Sequence, residues 1–186
     1  MSSSAHIHIL GISGSLRRGS FNTALLRNAQ ALLPEGASLE IADLSGIPLF
    51  NQDDEQTLPE AVRAFTAKIA DADALLFAVP EYNYSLPGVL KNALDWASRP
   101  ATGQPLSGKP AAIMGAGGRF GTARAQLHFR QIATSLNLQL LQKPELMIPL
   151  ASQKFDADGT LTDQEARDQL RALVGALVQW ARRLRG

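Results

Sequence analysis

The sequence predicts a doubly wound α/β/α sandwich, a parallel sheet covered by helices on both faces. Three observations lead there. Apolar runs suited to buried strands alternate along the chain with stretches of helical apolar spacing. Ala74–Val79 (A-L-L-F-A-V) is apolar at every position, which fits a strand covered on both sides. No repeat, low-complexity tract or linker divides the 186 residues, so a single domain, 1–186, is expected to carry five βα units.

The elements follow in order. His6–Ser13 reads as the first strand, and Leu25, Ala29, Leu32 and Leu33 then fall at helical spacing. Ser38–Leu44 alternates and suits a second, more exposed strand. Thr57-Leu-Pro-Glu60 reads as a capping box opening a helix whose core stripe is Leu58, Val62, Phe65 and Ile69. After the Ala74–Val79 strand, a helix is predicted over Pro87–Ser98, with proline early in it as its fixed φ permits. Pro110–Gly115 is a fourth strand and Thr122–Leu136 the helix after it. Leu138–Leu141, Leu146–Ile148, or both supply the fifth strand. Thr162-Asp-Gln-Glu165 reads as a second capping box, opening a last helix that buries Leu170, Leu173, Val174, Leu177 and Trp180.

Composition narrows the function. A formal charge of +1, with 45% hydrophobic and 19% charged residues, is globular and lacks the basic stripe of a nucleic-acid binder. Arg182, Arg183 and Arg185 read as a solvated helix end. With no cysteine, disulfides and thiolate nucleophiles are excluded. Met1–Ala5 has no positive n-region and no run reaches membrane-spanning length, so no membrane association and a cytoplasmic location are expected. His6 and His8 share a strand face without an evident third ligand, so no metal site is expected. Asp156-Ala-Asp158-Gly159 fits a polar turn better than a calcium loop, because the distal glutamate is missing.

In doubly wound sheets, ligands sit beyond the carboxyl ends of the strands. The first candidate loop, Ser13-Gly-Ser-Leu-Arg-Arg-Gly-Ser-Phe-Asn-Thr23, joins a strand to a helix start. Free helix-start amides, hydroxyls and an arginine fork suit an anion. An ordinary turn capped by Ser20 is the competing account. The loop is neither Walker A, having no lysine, nor G-x-G-x-x-G, and a terminal phosphomonoester fits it best. Asp43 reads as a polar residue ending its strand. The second loop, Pro80-Glu-Tyr-Asn-Tyr-Ser-Leu-Pro-Gly88, offers rings and amides to a flat heterocycle, or is a stiff turn with its tyrosines in an interface. The third, Gly115–Gly121, holds glycines that let backbone approach a ligand closely, and Arg119, which either faces an anionic group or is solvated.

Taken together, Gly14-Ser-Leu-Arg17 with Ser20 and Asn22, Pro80-Glu-Tyr-Asn-Tyr-Ser85, Leu90–Trp96, Gly108-Lys-Pro110, Ala123-Arg124 with Arg130-Gln131, and Lys143-Pro-Glu145 resemble the NAD(P)H-dependent FMN reductase family, especially its bacterial quinone and chromate reductase branch. The resemblance spans nearly the whole chain. It implies a flavodoxin-like fold with a five-stranded parallel sheet of order 2-1-3-4-5. It also implies non-covalent FMN, NAD(P)H as co-substrate, and a homodimer or homotetramer with the flavin near a subunit boundary. By that resemblance Ser15, Arg17, Ser20 and Asn22 hold the FMN phosphate, and Leu16 and Thr23 also belong to the cofactor-binding set. Pro80, Glu81, Tyr82 and Asn83 line the isoalloxazine, and Gly117 supplies a third contact. Tyr84, Arg124 and Glu145 match an inter-subunit polar network. Leu127 stands where close relatives can carry tyrosine, and Gly115–Gly118 is one residue shorter than in them.

The function so implied is hydride transfer from NAD(P)H to quinones, azo compounds, metal oxyanions such as chromate, or free flavin, by a ping-pong mechanism. No essential acid–base side chain is expected, since the hard chemistry belongs to the cofactor. A non-enzymatic flavodoxin-type carrier and an FMN-sensing module are the alternatives.

Overall fold

A computed structural model describes residues 6–185; Met1–Ala5, read above as lacking a targeting signal, and Gly186 lie outside them. The elements are β1 (Ile7–Ser13), α1 (Phe21–Ala31), β2 (Ala37–Ala42), α2 (Glu60–Asp71), β3 (Ala74–Ala78), α3 (Gly88–Ala97), β4 (Pro110–Ala116), α4 (Ala123–Ser135), β5 (Gln139–Leu140), β6 (Leu146–Ile148) and α5 (Gln164–Arg185). All pairings are parallel, in the order β2-β1-β3-β4-β5, with β6 also on β4. This is the predicted three-layer sandwich.

Both candidates for the fifth strand form. β5 pairs with Pro110–Ala111 and β6 with Met114–Ala116, so two short pieces share the lane beside β4.

The period-two alternation of the strands builds two cores. Ile7, Ile9, Leu76, Ala112 and Met114 meet α1 and α5 through Leu25, Leu26, Leu170 and Leu177. Leu10, Ile12, Leu75, Phe77 and Ile113 meet α2, α3 and α4 through Phe65, Ile69, Leu90, Leu94 and Phe129. Phe77 packs against Phe129 as a tilted ring pair with centroids 4.6 Å apart. Trp180 is only half-buried, because its indole N–H reaches out to the Gln139 carbonyl at 2.7 Å.

Neither predicted capping box closes. Thr57 ends a 3₁₀ turn over Gln52–Gln56, and Pro59 occupies the cap of α2 without a side-chain hydrogen bond. The Thr162 hydroxyl donates to the Lys154 carbonyl at 3.1 Å. Asp163 caps α5 instead, accepting from the Ala166 amide at 2.9 Å. Threonine hydroxyls bond the nearest good acceptor, and here a neighbouring turn supplies it. Asp156 organises the turn before α5 by accepting from the amides of Asp158 (3.0 Å) and Thr160 (2.8 Å), as a polar turn should. His6 lies just outside β1 and bonds Ser38 at 2.8 Å, while His8 faces Glu40 at 3.9 Å.

Candidate functional site

The loops after β1, β3 and β4 emerge at the carboxyl edge of the sheet. β1 lies between β2 and β3, so the chain leaves it to opposite sides, which makes its end the switch point where such folds bind ligands.

The first loop is held by its own side chains. The Ser13 and Thr23 hydroxyls are 2.8 Å apart. The Ser15 amide donates to Ser13 Oγ at 3.3 Å, and the Arg17 amide to Ser15 Oγ at 3.3 Å. Ser20 is the N-cap of α1, its hydroxyl accepting from the Thr23 amide at 3.3 Å. The amides of Leu16, Arg18, Gly19, Phe21 and Asn22 have no protein partner among the described residues. Two clefts flank the loop, of about 490 and 300 Å³, and Arg17 and Arg18 line both. Neither arginine forms an ion pair among the described residues. Unclaimed amides, the Ser15 hydroxyl and free guanidinium groups make a donor set that fits a phosphomonoester. Leu16 is exposed beside them. At the rim, Asp43 accepts from the Ser45 amide (2.8 Å) and hydroxyl (2.9 Å). The Ser45 amide bond, reinforced by the hydroxyl, holds its carboxyl below the usual carboxylate range.

Asn22 has another task. Its amide nitrogen donates to the Ala116 carbonyl (2.9 Å) and its oxygen accepts from the Ala116 amide (3.1 Å). The side chain is buried and fastens the start of α1 to the end of β4, so only its backbone amide faces the anion position.

The second loop is a tight hairpin. Tyr82 and Ser85 exchange two backbone hydrogen bonds of 2.9 Å across Asn83 and Tyr84, which have φ of 50° and 67°. Positive φ at both central positions is the type I′ geometry, which for a tyrosine costs energy unless surroundings hold it. Pro80 is buried, while Tyr82, Asn83 and Tyr84 are exposed. Tyr82 Oη lies 3.4 Å from Ser15 Oγ, joining the first two loops. Gly14 allows this approach, since a Cβ there would stand 2.9 Å from Pro80 Cδ.

The third loop is spoken for by its neighbours. The Gly117 amide donates to the Ile148 carbonyl at 3.0 Å, and its carbonyl accepts from the Ala151 amide at 2.9 Å. Gly117 therefore offers close approach but no free amide. Beneath it, a Cβ on Gly115 would stand 1.9 Å from Thr122 Oγ1. Arg119 is exposed, near the Phe120 ring.

Sequence reasoning missed the tie between the second loop and α4. The Glu81 carboxylate accepts from the amides of Arg124 (3.1 Å) and Ala125 (3.4 Å) and pairs with the Arg124 guanidinium. Ser85 Oγ bonds His128 Nδ1 at 3.0 Å. Both ties span 43 residues, and no local spacing signals them. Glu145 pairs with Lys143 at 2.6 Å and with Arg130 at 3.5 Å. The Lys143 hydrogen bond holds its carboxyl below the usual range.

A switch-point turn of unclaimed amides and hydroxyls, on a sheet of this order, defines a mononucleotide-binding protein of the flavodoxin-like class. Comparison with known proteins agrees. The NADPH-dependent FMN reductase family matches residues 7–153. An NAD(P)H-dependent FMN reductase of Pseudomonas aeruginosa is 58% identical over 182 residues, covering 97% of this chain and 98% of its own. A quinone reductase of Escherichia coli is 38% identical, covering 98% and 99%. The solved flavoenzyme NAD(P)H:(acceptor) oxidoreductase FerB of Paracoccus denitrificans superposes with a TM-score of 0.85 at 32% identity, covering 95% of this chain and 98% of that one. The chain belongs to the NADPH-dependent FMN reductase family. It is accordingly an oxidoreductase with FMN as cofactor and NAD(P)H as co-substrate. No helix among the described residues is long and apolar enough to cross a membrane.

Proposed function

We propose that this protein carries hydride equivalents from NAD(P)H to a small oxidised acceptor of the quinone type, in a ping-pong cycle. Azo compounds, metal oxyanions and free flavin are further candidate acceptors. The observation that carries the reading is the first loop, whose unclaimed amides and unpaired arginines stand one hydrogen bond from the tyrosine hairpin. Bound FMN supplies a ring that takes hydride from the nicotinamide and yields electrons to the acceptor.

The chain's own residues bind and orient. Ser15 and Arg17, with the amides of Leu16, Phe21 and Asn22, hold the phosphate. Ser20 and Thr23 fix the loop that presents them. Pro80, Glu81, Tyr82 and Asn83 set the plane of the ring, and Gly117 admits its edge. Asn22 serves as a brace between α1 and β4 rather than as a side-chain ligand. No side chain is asked to move a proton.

The exposed rings of Tyr82, Tyr84 and Phe120, with Leu127, support self-association into a dimer or tetramer on this face.

Anaerobic stopped-flow reduction by NADH and by NADPH tests the proposal, followed by steady-state rates against quinones, azo dyes and free flavin. Rapid bleaching of bound flavin by nicotinamide alone, with parallel double-reciprocal lines, is expected. Converging lines would reject the ping-pong cycle. Absence of bleaching would leave an electron carrier.

A further inference from the structure

Resting on the proposal that the hairpin after β3 carries the flavin ring, we infer that Arg124 is a positioning residue for that ring, acting through Glu81 within one chain. The N-cap of α4 is Thr122, which makes no side-chain capping hydrogen bond. The helix start is satisfied instead by Glu81, whose carboxylate takes the Arg124 and Ala125 amides. The same carboxylate accepts from Arg124 Nε at 2.5 Å and pairs with its terminal nitrogen. Only 9% of the Glu81 side chain is exposed, so the pair is screened from water on the acid's side.

The arginine also reaches the far end of the hairpin. Its guanidinium carbon stands 3.7 Å from the Tyr84 ring centroid and 4.9 Å from that of Phe120. One cation therefore touches the start and the turn of the second loop and the tip of the third. Contacts of this kind hold Asn83 and Tyr84 at positive φ. A planar fork that pairs and stacks at once is a task lysine cannot repeat.

The pair also has an electrostatic consequence. A reduced flavin carries more negative charge than an oxidised one, so a fixed charge beside it shifts its potential. Paired, Glu81 and Arg124 nearly cancel. Unpaired, the two have opposite signs, and each would pull the potential its own way.

The experiment uses the FMN-loaded protein, its Glu81→Gln, Arg124→Gln and Arg124→Lys variants, and the Glu81→Gln/Arg124→Gln double variant. Glu81→Gln keeps an acceptor for the helix amides, and circular dichroism selects folded variants. The flavin midpoint potential should rise in Glu81→Gln, fall in Arg124→Gln and return near the parent value in the double variant. FMN dissociation constants should rise about tenfold in each Gln variant and no further in the double, the loss of one charge-assisted contact. Arg124→Lys should recover the potential but not the affinity. Potentials moving in the same direction, or affinity losses that multiply, would overturn the positioning role. So would unchanged flavin properties with an altered oligomer by light scattering, which would make Arg124 an interface residue. Arg17→Ala separates the two ideas. If it too leaves FMN binding unchanged, the flavin site itself is misplaced. If it alone weakens binding, only the Glu81–Arg124 role fails.

Discussion

The turn after β1 and the turn after β3 face each other across one hydrogen bond, yet they are built in opposite ways. The first is shaped mainly by its own side chains, Ser13 with Thr23, Ser15 with Arg17 and Ser20 with Thr23, each within 10 residues, while Asn22 near its end is braced to Ala116. The second is held from outside, by Arg124 and His128 in α4, each 43 residues from its partner. A self-closed turn can lose a ligand-facing side chain and keep its shape. A turn held from outside shares its fate with the elements that hold it.

The largest effect should come at the end of β4, which is pressed between the end of β3 and the start of α4. Gly115→Ala places a Cβ 1.9 Å from Thr122 Oγ1 and 2.7 Å from the Val79 carbonyl. The expected cost is about 3 kcal/mol of folding stability, the upper part of the overpacking range, together with weakened FMN binding. Urea unfolding and flavin titration measure both, and a fully stable variant would break the contrast. Next, Arg17→Ala should weaken FMN binding by about 1.5–3 kcal/mol, as for a charge-assisted hydrogen bond. The stability of the flavin-free protein should move by less than about 0.5 kcal/mol, since Arg17 is an exposed cation in a self-closed turn. Loss of apoprotein stability would show the first turn to be less independent than its hydrogen bonds suggest.

Ser20→Ala removes the cap of α1 and should cost about 1 kcal/mol by chemical denaturation, whereas Ser20→Gly should cost only a few tenths. Equal losses would put the hydroxyl's role outside the cap. The smallest effect concerns Asp43 at the rim of the first turn. Its folded pKa is lowered from 3.8, so its stabilisation is present above that value and fades as pH falls through the lowered one. Asp43→Asn should therefore lose less stability than the parent on acidification below about pH 4, read from urea midpoints across pH. A steeper acid loss in the variant would reverse the sign.

Legibility in the sequence follows the same divide. The strands, the Ser20 cap and the anion-ready first loop were readable because each depends on residues within a few positions. The capping boxes at Thr57 and Thr162 misled because a hydroxyl bonds whichever acceptor folding brings near, and for Thr162 that was the Lys154 carbonyl. That the Asn22 side chain braces α1 against β4 was not legible, because nothing nearby in the chain reveals that Ala116, 94 residues on, takes both ends of its amide.

Sequence alone determined a parallel, doubly covered sheet and a hydroxyl- and arginine-rich turn at its switch point, because apolar periodicity and helix-start chemistry are local properties. Only the tertiary structure decided that Glu81 caps a helix it does not belong to, that Arg124 joins two loops, and that two short strands share one lane. Those outcomes depend on distances between residues far apart in the chain, which are fixed once the layers have packed.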